Sequence, residues 1–259
     1  MKKTNILNIL VFLFCFASWP VIAQQYTYND AWGQQGITLE EQSGSGVRLN
    51  FSMQGFTLED FDLKGEAMKN IQFGEFFVPA DEGMPNLPTL SRMIAIPQGS
   101  VPRIIITASR DESIAQVNIA PAPRIPLDND ASPLFYQKDM QYYGKNTFFP
   151  SEPVELSEVT QLRGVDMVHV SFCPFRYNPV TKELKVYRDI KVEVSFEGGN
   201  GVFGESRLRS RWFDPILEDA FLNHTSLPQI DYNARVNEMA TSLTEETGAE
   251  YLIITATDP

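Results

Sequence analysis

The sequence predicts an all-β protein built as an antiparallel sandwich or jelly roll. Two observations predict it. Apolar and polar side chains alternate with period two through one short run after another, and proline, glycine, aspartate or serine closes nearly every run. A third feature, a continuously apolar run at the C-terminal end, predicts that the sandwich is followed by the truncated start of a different, α/β domain.

Lys2 and Lys3 followed by the almost wholly apolar residues 6–17 and by Val21-Ile22-Ala23 have the order of an export signal, with cleavage expected after Ala23. The apolar stretch is too short to span a bilayer comfortably, and no later run approaches the ~20 residues needed. Residues 1–23 are therefore expected to be a signal peptide, with no membrane association once it is removed. Residues 24–45 are polar and end in Ser43-Gly44-Ser45-Gly46, which predicts a flexible N-terminal segment.

The sandwich is expected over 46–230. Val47, Leu49, Phe51 and Met53 alternate with Arg48, Asn50 and Ser52, a strand with one buried face. Leu90, Ile94 and Ile96 share one parity, and residues 103–108 and 114–119 supply further short apolar runs. From Met167 to Phe196 the alternation is clearest, and Asn178-Pro179 with Thr181-Lys182 offers a turn, so one long hairpin is predicted. Pro79, Pro85, Pro88, Pro97, Pro121, Pro123, Pro126, Pro133, Pro150 and Pro153 suit loops and edge strands, not helix interiors. After Gly198-Gly199, Asp214-Pro215 can open a short helix with Ile216, Leu217, Ala220 and Phe221 on one face. Residues 231–249 are polar and acidic, as expected of a linker. The apolar run Tyr251-Leu252-Ile253-Ile254-Thr255 within 250–259 has the character of a first parallel-sheet strand.

Charge and cysteine content narrow the function. The chain has 21 basic and 33 acidic residues, a net charge of −12, and two of the basic residues lie in the export segment. Such a surface argues against phosphate binding, so no nucleic-acid partner is expected. Cys15 leaves with the signal, and Cys173 alone cannot form an internal disulfide, so stability must come from an apolar core. With 43% hydrophobic residues the chain can build one of domain size.

Catalytic constellations fail one by one. His169 and Cys173 lie four residues apart on one strand, about 13 Å at ~3.3 Å per residue, whereas a nucleophile and its base need hydrogen-bond reach. His224 lies elsewhere. Asp128-Asn129-Asp130 suggests a calcium loop, but Pro133 stands at the sixth position where glycine is needed and Asp139 at the twelfth. Residues 43–46 lack the lysine of a phosphate loop, and two histidines cannot assemble a zinc cluster. Catalytic, cofactor and metal residues are therefore expected to be none. Asn50-Phe51-Ser52 and Asn223-His224-Thr225 match the glycosylation sequon.

An ordered set of short stretches carries a family resemblance. Pro85-Asn86-Leu87-Pro88-Thr89-Leu90-Ser91-Arg92, Val117-Asn118-Ile119-Ala120-Pro121, Lys145-Asn146-Thr147-Phe148-Phe149-Pro150, Arg163-Gly164 and Tyr177-Asn178-Pro179-Val180-Thr181-Lys182 with Leu184-Lys185-Val186-Tyr187 resemble the gingipain (family C25) propeptide over roughly residues 46–198. Tyr251-Leu252-Ile253-Ile254-Thr255 resembles the opening strand of the caspase-like domain that follows it.

The resemblance implies a sandwich propeptide of a secreted cysteine endopeptidase, assisting folding and holding the enzyme latent, exported through the periplasm to the medium or cell surface. Its partners would be the cognate peptidase catalytic domain in cis and a processing protease. It implies that a loop at residues 121–131 enters the active-site cleft, with Arg124, Leu127 and Asp128 as candidate plugs. In arginine-specific members the blocking residue is arginine, whereas the corresponding position here falls near Asp128. Maturation is expected at Arg235 in the 231–249 linker, with Arg211 in the cluster Arg207, Arg209 and Arg211 as a second accessible candidate. The family's catalytic histidine and cysteine lie downstream and are missing, so no peptidase activity is expected of this chain. The alternative is a secreted sandwich binding module for carbohydrate or adhesion, with Tyr136, Tyr142 and Tyr143 available to stack on sugars.

Overall fold

A computed structural model of the chain describes residues 23–74, 80–127 and 130–232. Three antiparallel sheets carry it. The largest is built on β12 (Glu183–Gly198), whose one edge is lined along its length by β7 (Ser100–Ile114) and whose other edge is shared by β11 (Phe175–Asn178) and β3 (Gly46–Ser52). Strand β2 (Gly36–Ser43) closes that side on β3. The second sheet places β10 (Val165–Phe172) between β6 (Leu90–Ala95) and the short strands β8 (Val154–Leu156) and β9 (Thr160–Leu162). The third is β1 (Gln24–Thr27), β4 (Gly55–Leu63) and β5 (Glu66–Gln72).

Period-two patterning predicts which side chains meet between these sheets. Val47, Leu49 and Phe51 of β3 and Leu184, Val186, Ile190, Val192 and Val194 of β12 are buried together with Val168, Val170 and Phe172 of β10. Phe51 stacks on Phe172 at 5.7 Å, joining the first two sheets, and Phe175 meets Phe56 at 5.1 Å and Phe73 at 5.7 Å, joining the third. Aromatic contacts of this geometry add about 0.5–1.5 kcal/mol each beyond the area they bury.

Four expectations need correction. Residues 24–45 are not a tether. They carry β1 and β2, and Ser43-Gly44-Ser45 is the turn into β3, because a polar run also describes an edge strand with one solvated face. Gly46 serves that pairing, since a Cβ there would stand 2.5 Å from the Val194 carbonyl oxygen. The long hairpin is split: β10 belongs to the second sheet, and the chain turns a corner at Cys173-Pro174 before β11 pairs with β12 across the expected Asn178–Lys182 turn. Asn178 makes that turn by accepting from the Val180 and Thr181 amides at 3.1 and 3.3 Å.

Residues 114–119 do not form a run of strand; Ile114 ends β7, and Val117 and Ile119 are buried from an irregular path. After a one-turn helix α1 (Met140–Tyr143), helix α2 (Asp214–Ala220) forms with Pro215 in its first turn, but only Leu217 and Phe221 bury, and Ile216 stays 51% exposed. Two turns of helix present one i, i+4 pair to the core and no more. The predicted strand at 251–255, the linker at 233–249 and the signal at 1–22 lie outside the described residues.

Candidate functional site

The loop following Ile119-Ala120-Pro121 begins from a rigid base. Ile119, Ala120 and Ala122 are fully buried. Ala120 donates to the Lys69 carbonyl of β5 at 2.9 Å, the Asn86 amide donates to Ala120 at 2.9 Å, and Ala122 donates to Met84 at 2.7 Å. Backbone paired on both sides this way cannot shift without losing several buried hydrogen bonds.

Beyond the base the chain leaves the body. The Arg124 amide donates to the Phe135 carbonyl at 2.8 Å and closes a neck, after which Ile125 is 65% and Leu127 77% exposed, with Leu134 and Phe135 about half exposed on the returning limb. The Asp130 amide donates to the Leu127 carbonyl at 2.8 Å, and the Asp130 carboxylate accepts from the Ser132 amide at 2.9 Å and hydroxyl at 2.6 Å. Those two bonds hold the Asp130 carboxyl below its ordinary range. Among the described residues, every hydrogen bond made by residues 125–127 and 130–134 stays within the loop. Phe135 and Tyr136 then return the chain to the third sheet, with the Lys64 ammonium 5.6 Å from the Phe135 ring and Phe61 4.8 Å from Tyr136.

Of the three candidate plugs, Arg124 stands at the neck and Leu127 well beyond it, while Asp128 lies outside the described residues. The result is an arm whose neck is fixed, whose described outer part exposes Ile125, Leu127 and Leu134, and whose described hydrogen bonds stay within the loop. Such an arm can enter a cleft, and among the described residues it carries no group of three metal-ligating side chains.

The other candidates are scattered. Ala23 is exposed immediately before β1. Arg235 lies outside the described residues. Arg211 is exposed and stacked on Trp212 at 4.9 Å, but the turn around it is closed by the Phe213 and Asp214 amides donating to Ser210, both at 2.9 Å. Arg207 is open to solvent, whereas Arg209 is not the accessible residue expected. Its guanidinium forks onto Asp214 at 2.7 and 2.8 Å, and Tyr232 donates to the same carboxylate at 2.6 Å.

Cys173 is buried and donates its thiol hydrogen to the Phe175 carbonyl at 3.2 Å. Burial pushes the thiol up to about 11, which suppresses the thiolate a nucleophile needs. Both sequon asparagines are buried: Asn223 spends its side-chain amide on the Ala95 amide and carbonyl, each at 2.8 Å, and Asn50 lies 3% exposed under Gly33. Tyr136, Tyr142 and Tyr143 pack against Phe61, Phe149 and the core, not on a ring-binding surface. Among the described residues no group of three His, Cys, Asp or Glu side chains is placed to hold a metal, and no helix is long and apolar enough to cross a membrane.

Sequence reasoning missed one site. Asp189 is fully buried in β12 and accepts from the Trp32 amide and Ser52 hydroxyl, both at 2.8 Å, and from Arg110 Nε at 2.9 Å. Its partners come from three distant segments, and in sequence Asp189 stands among the charged residues Lys185, Arg188, Lys191 and Glu193 of the same strand, so nothing local signalled it.

Comparison with known proteins places this architecture. The family model Propeptide_C25 matches residues 29–227. Gingipain R1 of Porphyromonas gingivalis is 30% identical over 178 residues, covering 62% of this chain and 18% of the relative. Gingipain R2 of the same organism is 30% identical over 190 residues, 71% of this chain and 25% of the relative, and Lys-gingipain is 25% identical over 179 residues, 66% and 10%. The chain thus spans a quarter or less of these relatives. Among solved structures, a complex of Porphyromonas gingivalis RgpB pro- and mature domains contains a chain similar at 28% identity and TM-score 0.63, over 73% of this chain and 97% of that one. A structure on the zymogenic latency of gingipain K from the same organism shares the fold at 21% identity and TM-score 0.56, over 69% of this chain and all of that one. With residues 29–227 matched by the family model and the fold shared with both solved neighbours, this chain belongs to the Propeptide_C25 family, the propeptides of gingipain-type cysteine peptidases.

Proposed function

We propose that the chain assists the folding of a gingipain-like cysteine endopeptidase in cis and keeps it latent by inserting the 121–131 loop into its cleft. The observation that carries this reading is the arm itself: a fixed neck at Arg124 and Phe135, exposed apolar side chains beyond it and, among the described residues, no hydrogen bond from the outer part to its own body. The similarity to a chain solved as part of a pro–mature complex supports a peptidase domain as the recipient. An interface of ~1,600 Å² suffices for tight inhibition with no catalytic residue on the inhibitor. A carbohydrate-binding module is disfavoured by the packed tyrosines.

Export follows from the signal at 1–23, cleaved after Ala23 and leading through the periplasm to the medium or cell surface. Residues 231–249 serve as the activation linker, cut at Arg235 by a processing protease, and 250–259 begin the peptidase domain. Arg211 is the weaker site, since a protease must thread extended chain and the 210–214 turn is closed. The test adds residues 24–235 in trans to the mature peptidase encoded downstream. Inhibition is expected, and joint replacement of Arg124, Leu127 and Asp128 by alanine weakens it at least 100-fold; an unchanged inhibition constant removes the loop from the mechanism.

A further inference from the structure

Away from the arm, the surface around Trp212 exposes large apolar side chains close together. Trp212 is 78% exposed, and Leu208 and Ile216 are open to solvent as well. Ile216 follows Trp212 by one turn, in a coil closed by the Asp214 amide on Ser210 at 2.9 Å and the Leu217 amide on Phe213 at 3.3 Å. Leu208 lies over the turn at 163–164, where a Cβ on Gly164 would stand 2.7 Å from its Cδ1. Arg163 of that turn lies 4.3 Å from the Phe213 ring, which joins Leu208, Trp212 and Ile216 into one patch.

Tryptophan and arginine together are the composition of an interface anchor. Position says what the anchor meets. The described chain ends at Tyr232, whose hydroxyl donates to Asp214 at 2.6 Å, and the Arg209 guanidinium forks onto the same carboxylate. Asp214 stands two residues from Trp212 and two from Ile216, so whatever follows Tyr232 is tethered beside the patch. Three side chains fall far short of the ~1,200 Å² that a stable interface between free molecules buries, whereas a tethered domain meets them at high effective concentration. A second copy would also bring Arg211, stacked on Trp212, and Arg163, stacked on Phe213, against their own equivalents.

We propose, resting on the latency reading above, that Trp212 with Leu208 and Ile216 is a second anchor for the peptidase domain in cis, received by an apolar patch on that domain whose edge carries carboxylates for Arg163 and Arg211. The arm fills the cleft and this anchor holds the flank. Latency then depends on two separate grips, and the one at Trp212 lies beside the point where the described chain ends.

Hydroxyl-radical footprinting read by mass spectrometry tests this without any substitution, comparing the full-length precursor with the present chain. Trp212 is expected to oxidise faster than the less exposed Trp32 in this chain. In the precursor it slows about tenfold, at every protein concentration, as a desolvated anchor does. In the uncut precursor Trp212→Ala raises peptidase activity about 10- to 100-fold, Trp212→Phe less than about threefold, and Val180→Ala, an exposed apolar residue on the Asn178–Lys182 turn, less than about twofold. Trp212 is exposed, so its replacement spares the fold. A latent precursor in which Trp212 oxidises as fast as in this chain, or in which Trp212→Ala stays as latent as the parent, overturns the anchor and leaves the arm as the inhibitor. Protection that appears only as concentration rises identifies a second copy and overturns it too. A parent precursor fully active before any cut overturns the latency reading itself.

Discussion

Asp189 and Cys173 show how single residues set the properties of this fold. Asp189 is a fully buried carboxylate that gathers Trp32, Ser52 and Arg110, and Arg110 in turn reaches Asp30 at 2.9 Å and lies 5.0 Å from the Trp32 ring. Without Asp189 the buried Ser52 hydroxyl and the Trp32 amide lose their acceptor while Arg110 keeps Asp30, a cost of about 1–3 kcal/mol. Asp189→Ala is expected to lower the urea midpoint by that equivalent, and a midpoint within experimental error of the parent contradicts the role. For Cys173 the folded thiol titrates near 11, above the ~8.5 of an unfolded thiol. The unfolded chain therefore loses its proton first, so this group's contribution is present below about pH 8.5 and is lost as the pH climbs towards 11. Native protein at pH 8 should resist alkylation that urea-unfolded protein accepts within minutes, and equal labelling rates contradict the burial. Cys173 was legible as a small buried residue, but not as the corner it occupies between β10 and β11, where the sequence reading put it in a strand. Asp189 was not, because its partners are separated by up to 157 residues.

Elements were legible wherever alternation alone decided them. Strands β3, β10, β11 and β12 and helix α2 fall where the pattern predicts. Pairing was not legible: nothing local tells β10 to leave β12 for β6, since the corner at Cys173-Pro174 is enforced by distant bonds, Cys173 to the Pro153 carbonyl at 2.8 Å and Tyr187 to the Pro174 carbonyl at 2.7 Å. Strands β1 and β2 escaped because polar edge strands and linkers share a composition. Beyond α2, Asn223 completes the second sheet by bonding both backbone groups of Ala95, as a strand would. Asn223→Ala leaves both unsatisfied in a buried place, a loss of about 2–4 kcal/mol. Amide exchange at Ala95 and Leu222 should accelerate in that variant. Unchanged protection there contradicts the clasp.

At the scale of the whole molecule, three sheets hold a rigid base from which one arm projects. The family resemblance located that arm at residues 121–131, yet neither pattern nor composition could say that Arg124 sits at its neck and Leu127 beyond it, because the cross-neck bond to Phe135 joins residues through tertiary closure. The net charge of −12 fits solubility and a partner less acidic than itself. The central claim is that the arm, and not some other face, enters the peptidase. Hydrogen–deuterium exchange on the propeptide, free and bound to its mature peptidase, tests it most directly. The account predicts strong protection of residues 121–135 on binding, larger than anywhere else on the sandwich; tight binding with exchange in that loop unchanged would contradict it.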